Sequence, residues 1–86
     1  MVDVKLYTKT YCPYCQGALG LLKELGVKYE NIDVTSDDSK LKPVQKKENY
    51  YTVPMIYVKG KFIGGFSDLQ ELVNSGKFEK LINPKK

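Results

Sequence analysis

The fold is decided by residues 2–25, which read VDVKLYTKTYCPYCQGALGLLKEL. Apolar and polar side chains alternate at the beginning of this stretch, which is typical of a β-strand. After the two cysteines the apolar side chains recur every three or four residues, as on one face of a helix: Ala18, Leu21, Leu22 and Leu25. Gly26 readily adopts the left-handed backbone that ends helices. The stretch therefore predicts a strand, a turn with both cysteines, and a helix.

The next part of the chain predicts a second strand and a second helix. Residues 28–34 are rich in β-branched and aromatic side chains, and this strand would run parallel to the first because a helix joins the two. Residues 35–38 offer N-cap chemistry for a helix that reaches toward Asn49. Pro43 falls inside this helix and must either kink it or mark its true start.

A hairpin and a last helix complete the predicted order. Residues 55–58 and 61–63 are short apolar runs around Lys59-Gly60, where glycine provides the positive φ of a two-residue turn. Ser67 stands three residues before Gln70 at capping-box spacing, so we expect it to be the N-cap of the last helix. Gly76 is expected to break that helix. The order β-α-β-α-β-β-α then predicts a three-layer α/β architecture.

Length and composition limit the classes of function. A chain of 86 residues with a 42% apolar fraction can form one modest core, so we expect a single domain over residues 1–86. Fourteen lysines, no arginine and 10 acidic residues give a net charge of +4, spread along the chain, and no nucleic-acid partner is expected. No apolar run approaches the roughly 18 residues of a membrane span, so we expect no membrane contact. The interpretation is a soluble, cytoplasmic monomer.

The two cysteines, Cys12 and Cys15, point to redox chemistry. A disulfide between them closes a loop too small to constrain much of the unfolded chain. Cys12 precedes Pro13 at the start of a helix, where unpaired N–H groups and the helix dipole stabilise a thiolate, and Lys9 can add a positive charge nearby. Cys15 lies one turn further on, within reach of a disulfide, and is expected to be the less exposed and less acidic thiol.

Two alternatives to redox chemistry stay open for the cysteine pair. The sequence contains no histidine and no third cysteine, so a zinc site would need ligands from a second protomer. An inert buried pair or a purely structural disulfide is the second alternative. No metal ligand is assigned within the chain.

Three motifs, in this order and spacing, resemble those of the dithiol glutaredoxins, a family of the thioredoxin-fold superfamily. They are Cys12-Pro13-Tyr14-Cys15, Thr52-Val53-Pro54 and Gly64-Gly65-Phe66-Ser67-Asp68. The similarity extends from Lys5 to about Leu81. It implies a thioredoxin-like α/β fold, in which a central four-stranded mixed sheet is flanked by about three helices.

The resemblance also implies an activity, with Cys12 as nucleophile and Cys15 as resolving thiol. Glutaredoxins are thiol-disulfide oxidoreductases that use glutathione as co-substrate and need no tightly bound cofactor. The implied substrates are protein–glutathione mixed disulfides and protein disulfides.

The implied glutathione site surrounds Cys12. Pro54 matches the family's cis-proline, which leaves the Val53 backbone free to pair with the ligand as an added strand. The helix N-terminus at Ser67 and Asp68 would receive the γ-glutamyl end. A basic position, here Lys9, contacts the glycine carboxylate, and an aromatic one, here Tyr14, flanks the tripeptide. The implied set is Lys9, Tyr14, Thr52, Val53, Pro54, Gly65, Phe66, Ser67 and Asp68.

Two positions depart from the family pattern, and both concern the glycine end of glutathione. Tyr51 stands where the family is often basic, and Pro43 lies in a helix that usually offers a polar contact. The candidate substitutes are Lys42, Lys46 and Lys47. Two further functions stay open: an electron donor reduced by thioredoxin reductase, and a carrier of a [2Fe-2S] cluster between two protomers.

Overall fold

The computed structural model describes residues 3–82, so Val2 of the predicted first strand lies outside this range. The strands are β1 (Val4–Thr8), β2 (Tyr29–Asp33), β3 (Met55–Val58) and β4 (Lys61–Gly64). The α-helices are α1 (Pro13–Glu24), α2 (Leu41–Glu48), α3 (Phe66–Asn74) and α4 (Lys77–Ile82). None of the helices in the described range is long and apolar enough to cross a membrane.

The four strands form one mixed sheet in the order β2-β1-β3-β4. Strand β1 pairs in parallel with β2, because α1 carries the chain back to the same end of the sheet, and antiparallel with β3. Strands β3 and β4 form the predicted hairpin. Because β1 is an interior strand, the loop that follows it, with Cys12, leaves the sheet near its middle.

Each face of the sheet has its own core, which confirms the three-layer prediction. Alternate residues of β1 point to opposite faces, so Val4 and Leu6 belong to one core and Tyr7 to the other. The first core packs the sheet against α1, α3 and α4 through Val4, Leu6, Ala18, Leu22, Ile56, Val58, Leu69 and Phe78. The second packs it against α2 through Tyr7, Val34, Leu41 and Met55.

Residues with positive φ lie where the sequence predicts the end of a helix and a tight turn. Gly26, with φ of +70°, follows the C-cap of α1. Lys59 and Gly60 have φ of +53° and +82° and close the β3–β4 hairpin. The Lys59 ammonium lies 2.9 Å from an Asp3 carboxylate oxygen, which ties the turn to the segment before β1.

Pro43 is not the first residue of helix α2 but lies within its first turn. A 3-10 helix, Asp38–Lys40, is capped by the Asp37 carboxylate, which accepts the Ser39 N–H at 2.9 Å, and leads directly into α2. Pro43 is the third residue of α2. The N–H groups of this turn have no intrahelical acceptor, so proline loses no hydrogen bond there.

The predicted start of the last helix is wrong by two residues. Ser67 is not its N-cap, because α3 begins at Phe66 and Gly65 is the N-cap. The Asp68 carboxylate accepts the Gly65 N–H at 2.9 Å. The side chain that caps this end of the helix is therefore that of Asp68 and not that of Gln70.

Gly76 does break the last helix, as predicted. Its φ of +80° turns the chain between α3 and α4. The second half, whose Phe78 is buried in the first core, is thus a separate helix. Four α-helices flank the sheet where about three were expected.

Candidate active site

Cys12 lies at the N-terminus of helix α1, where the sequence places it. It is the N-cap, with extended backbone (φ −94°, ψ 114°), and Pro13 is the first helical residue. Its side chain is partly exposed, and its thiol donates to the carbonyl oxygen of Val53 at 3.6 Å. The sulfur therefore sits between the positive end of a helix and the backbone of the Thr52-Val53-Pro54 segment.

Cys15 lies one turn behind Cys12 and is fully buried, with an exposed fraction of 0%. Burial raises the pKa of the Cys15 thiol to about 12. The hydrogen bond and the charge of Cys12 act in the same direction, whereas the backbone and the ammonium of Lys9 oppose them. The prediction that Cys15 is the less exposed thiol is confirmed.

Alkylation is expected to distinguish the two thiols. Brief exposure of the reduced protein to iodoacetamide near neutral pH should modify Cys12, because Cys15 is buried and protonated. Fragmentation of the peptide that contains both residues gives the modified position. The Cys12→Ser variant should stay unmodified over the same time, and equal labelling of both cysteines in the wild type would contradict this assignment.

The loop that contains Cys12 is hydrogen-bonded to the residues at the end of strand β2. The Thr10 N–H donates to the Thr35 hydroxyl oxygen at 2.7 Å, and that hydroxyl donates to the Asp33 carboxylate at 2.5 Å. From α1, the Gln16 side-chain amide donates to the Thr10 carbonyl at 3.2 Å. Two hydrogen bonds from Thr35 lower the pKa of Asp33, which keeps the carboxylate charged as an acceptor. Sequence reasoning missed this link between neighbouring parallel strands.

A cleft of about 430 Å³ lies between the Thr52-Val53-Pro54 segment and the start of α3. Its lining includes seven of the nine residues that the resemblance implied for glutathione: Tyr14, Thr52, Val53, Pro54, Gly65, Phe66 and Ser67. The Val53–Pro54 peptide bond is cis. Tyr50 and Gln70 complete the lining and were not anticipated.

Lys9 and Asp68, the other two implied residues, do not line this cleft. The Lys9 ammonium lies 5.9 Å from the centroid of the Tyr11 ring, on the loop before Cys12. The Asp68 carboxylate is bound to the Gly65 N–H. Asp68 directly follows Ser67 of the lining in the chain, but the structure brings neither the Asp68 nor the Lys9 side chain into the lining.

Phe66 connects the cysteine helix to the cleft. A Cβ added at Gly17 of α1 would lie 3.0 to 3.4 Å from three atoms of the Phe66 ring, so the ring rests directly on the helix backbone. On the cleft side, the Phe66 and Tyr14 rings are 6.4 Å apart between centroids. Helices α1 and α3 are thus held together beside the reactive thiol.

Within residues 3–82 no group of three or more cysteine, histidine or acidic side chains is placed to hold a metal ion. The sheet, the helices and the cysteine pair define the class of protein. It is a dithiol oxidoreductase built on a thioredoxin-like fold.

Comparison with known proteins gives the family. The Glutaredoxin family model matches residues 4–63. The chain is 34% identical to glutaredoxin 3 of Escherichia coli (strain K12) over 82 residues, which span 95% of this chain and 99% of that protein. The chain belongs to the glutaredoxin family.

Solved structures agree with this family. The solution structure of glutaredoxin from Brucella melitensis matches with a TM-score of 0.80 and 36% identity, over 100% of this chain and 94% of that one. The crystal structure of a buckwheat glutaredoxin–glutathione complex matches with a TM-score of 0.84 and 29% identity, over 93% and 76%.

Family membership decides between the functions that the sequence left open. The chain is a glutathione-dependent thiol-disulfide oxidoreductase. Neither a donor reduced by thioredoxin reductase nor a [2Fe-2S] carrier is favoured.

Proposed function

We propose that this enzyme reduces protein–glutathione mixed disulfides, with Cys12 as nucleophile and the cleft as the site of the glutathione half. The observation that carries the proposal is the position of the Cys12 thiol. It lies 3.6 Å from the Val53 carbonyl oxygen, and Val53 lines the cleft together with Pro54 and Gly65. A related protein, from buckwheat, was solved as a complex with glutathione.

The first half-reaction transfers glutathione to Cys12. The Cys12 thiolate attacks the glutathione sulfur of the mixed disulfide, a Cys12–glutathione disulfide forms, and the substrate's disulfide bond breaks. The substrate sulfur leaves as a thiolate and takes up a proton. The thiolate of a second glutathione then attacks the bound glutathione sulfur, which releases oxidised glutathione and restores the Cys12 thiolate.

Protein disulfides follow a second route that also needs Cys15. Attack by Cys12 gives a mixed disulfide with the protein, and the Cys15 thiolate then attacks the Cys12 sulfur and releases the reduced protein. Cys15 must lose a proton first, and part of what raises its pKa is the hydrogen bond and charge of Cys12. Both contributions end once Cys12 is in a disulfide. The pKa of Cys15 therefore falls at the step in which its thiolate must attack Cys12. Two glutathiones reopen the Cys12–Cys15 bond.

The bound tripeptide would extend along the Val53 backbone, which offers strand-type hydrogen bonds. Its γ-glutamyl end would reach the N-terminus of α3 at Ser67, with Thr52, Pro54, Phe66 and Tyr14 around it. Lys9 would reach the glycine carboxylate from the loop before Cys12. Asp68 would bind the amino group through the carboxylate oxygen that does not hold the Gly65 N–H.

The proposal includes the setting in which the enzyme works. Its protein partners are glutathionylated or disulfide-containing proteins, with no nucleic acid or membrane partner. A monomer of one domain, with its dithiol kept reduced in the cytoplasm, fits this cycle.

A coupled assay tests the choice of reductant. NADPH consumption with a glutathionylated peptide is expected in the presence of glutathione and glutathione reductase. Replacing these two components with thioredoxin reductase should leave only background consumption. The proposal fails if turnover occurs with thioredoxin reductase alone and is absent with the glutathione system.

A further inference from the structure

Tyr50 holds a hydroxyl group at the end of the cleft where helix α3 begins. A Cβ built on Gly65 would lie 2.6 Å from the Tyr50 hydroxyl oxygen and 3.5 Å from the Pro54 carbonyl oxygen. The phenol therefore covers the Gly65 backbone directly. Its ring is fixed edge-on against Phe62, with 5.2 Å between centroids.

The Tyr50 hydroxyl has no hydrogen-bond acceptor among residues 3–82, and it is accessible to solvent. Tyr50 is also only half-buried, and it lines the cleft. A phenol that keeps one donor free on a cleft wall can bind an oxygen of whatever occupies the cleft. The packed ring fixes its direction, so little conformational entropy is lost on binding.

We propose that Tyr50 recognises the γ-glutamyl half of glutathione by donating a hydrogen bond from its hydroxyl. This inference rests on the proposed function, because the α3 N-terminus next to Gly65 is where that half of the ligand would lie. Gly65 is part of the same arrangement. Its missing side chain leaves the room that the Tyr50 hydroxyl occupies.

The Tyr50→Phe variant tests the recognition, since it removes one oxygen and keeps the ring against Phe62. Two substrates are compared: one peptide in mixed disulfide with glutathione, and the same peptide in mixed disulfide with cysteinylglycine, which lacks the γ-glutamyl group. For the glutathione substrate, kcat/KM should fall about tenfold. For the dipeptide substrate, it should not change.

The matched control is Tyr29→Phe, a variant at the start of β2 and outside the cleft lining, whose kcat/KM should stay at the wild-type value for both substrates. An equal loss on both substrates in Tyr50→Phe, or no loss on either, would overturn the role of Tyr50. A wild-type enzyme that does not prefer glutathione over the dipeptide contradicts the proposed function itself.

A double-mutant cycle tests the geometry without any substrate. Gly65→Ala should lower the Tm of the wild type by about 5 °C, because the new methyl group meets the Tyr50 hydroxyl. In the Tyr50→Phe background the nearest ring atom, Cζ, is 3.8 Å from that methyl group, so the same substitution should have little effect. Equal drops in both backgrounds would show that the hydroxyl does not lie against Gly65.

Discussion

Replacing Cys12 with serine is expected to lower the rate of peptide deglutathionylation by more than about a thousandfold. A serine hydroxyl is not ionised near neutral pH, and glutathione transfer has no second nucleophile, because Cys15 is buried with a pKa raised to about 12. Replacing Cys15 with serine should leave the same rate within about threefold of the wild type. The coupled NADPH assay measures both.

The same two variants should behave differently with a protein disulfide as substrate. Here Cys15→Ser is expected to lose more than about tenfold in rate, because nothing inside the enzyme can displace the protein bound to Cys12. The variant therefore separates the two activities. Equal loss of deglutathionylation in Cys12→Ser and Cys15→Ser would contradict the assigned roles.

Truncation of Leu22 to alanine is expected to reduce the free energy of unfolding by about 3 kcal/mol. Leu22 has an exposed fraction of 0% and packs α1 against the sheet in the first core. Alanine keeps a high helix propensity, so the loss reports packing and not helix formation. For a domain this small, that is a large part of the total stability.

Urea unfolding measures this effect against a matched control. Leu25→Ala makes the same chemical change at the C-cap of α1, where the side chain is 41% exposed, and should lower the free energy of unfolding by less than about 1 kcal/mol. Similar losses for the two variants would mean that α1 does not pack as described.

The order of strands and helices was predictable because several of the boundaries have a local cause. Gly26 and Lys59-Gly60 adopt the positive φ that their turns require, and Cys12 with Pro13 begins α1. The N-cap of α3 was not predictable from spacing alone. Ser67 and Asp68 both have capping side chains, and the extended backbone of Gly65, bound to Asp68, decides between them.

The candidate site was only partly predictable. The three motifs indicated Tyr14, Val53, Pro54 and Gly65. These residues are far apart in the sequence but line the same cleft. Tyr50 has no signal in the sequence, because its place in the cleft depends on packing against Phe62 of β4. The same holds for the bond between Thr10 and Thr35, which exists because β1 and β2 end side by side.

The central claim is that the cleft holds glutathione, so that Cys12 takes the glutathione half of a mixed disulfide. The most direct test uses the Cys15→Ser variant, which cannot close the internal disulfide. The variant is mixed with a glutathionylated peptide, quenched with acid and analysed by intact-protein mass spectrometry and fragmentation. We expect one glutathione bound to Cys12 and a free peptide thiol. Peptide on Cys12, with glutathione released, would contradict it.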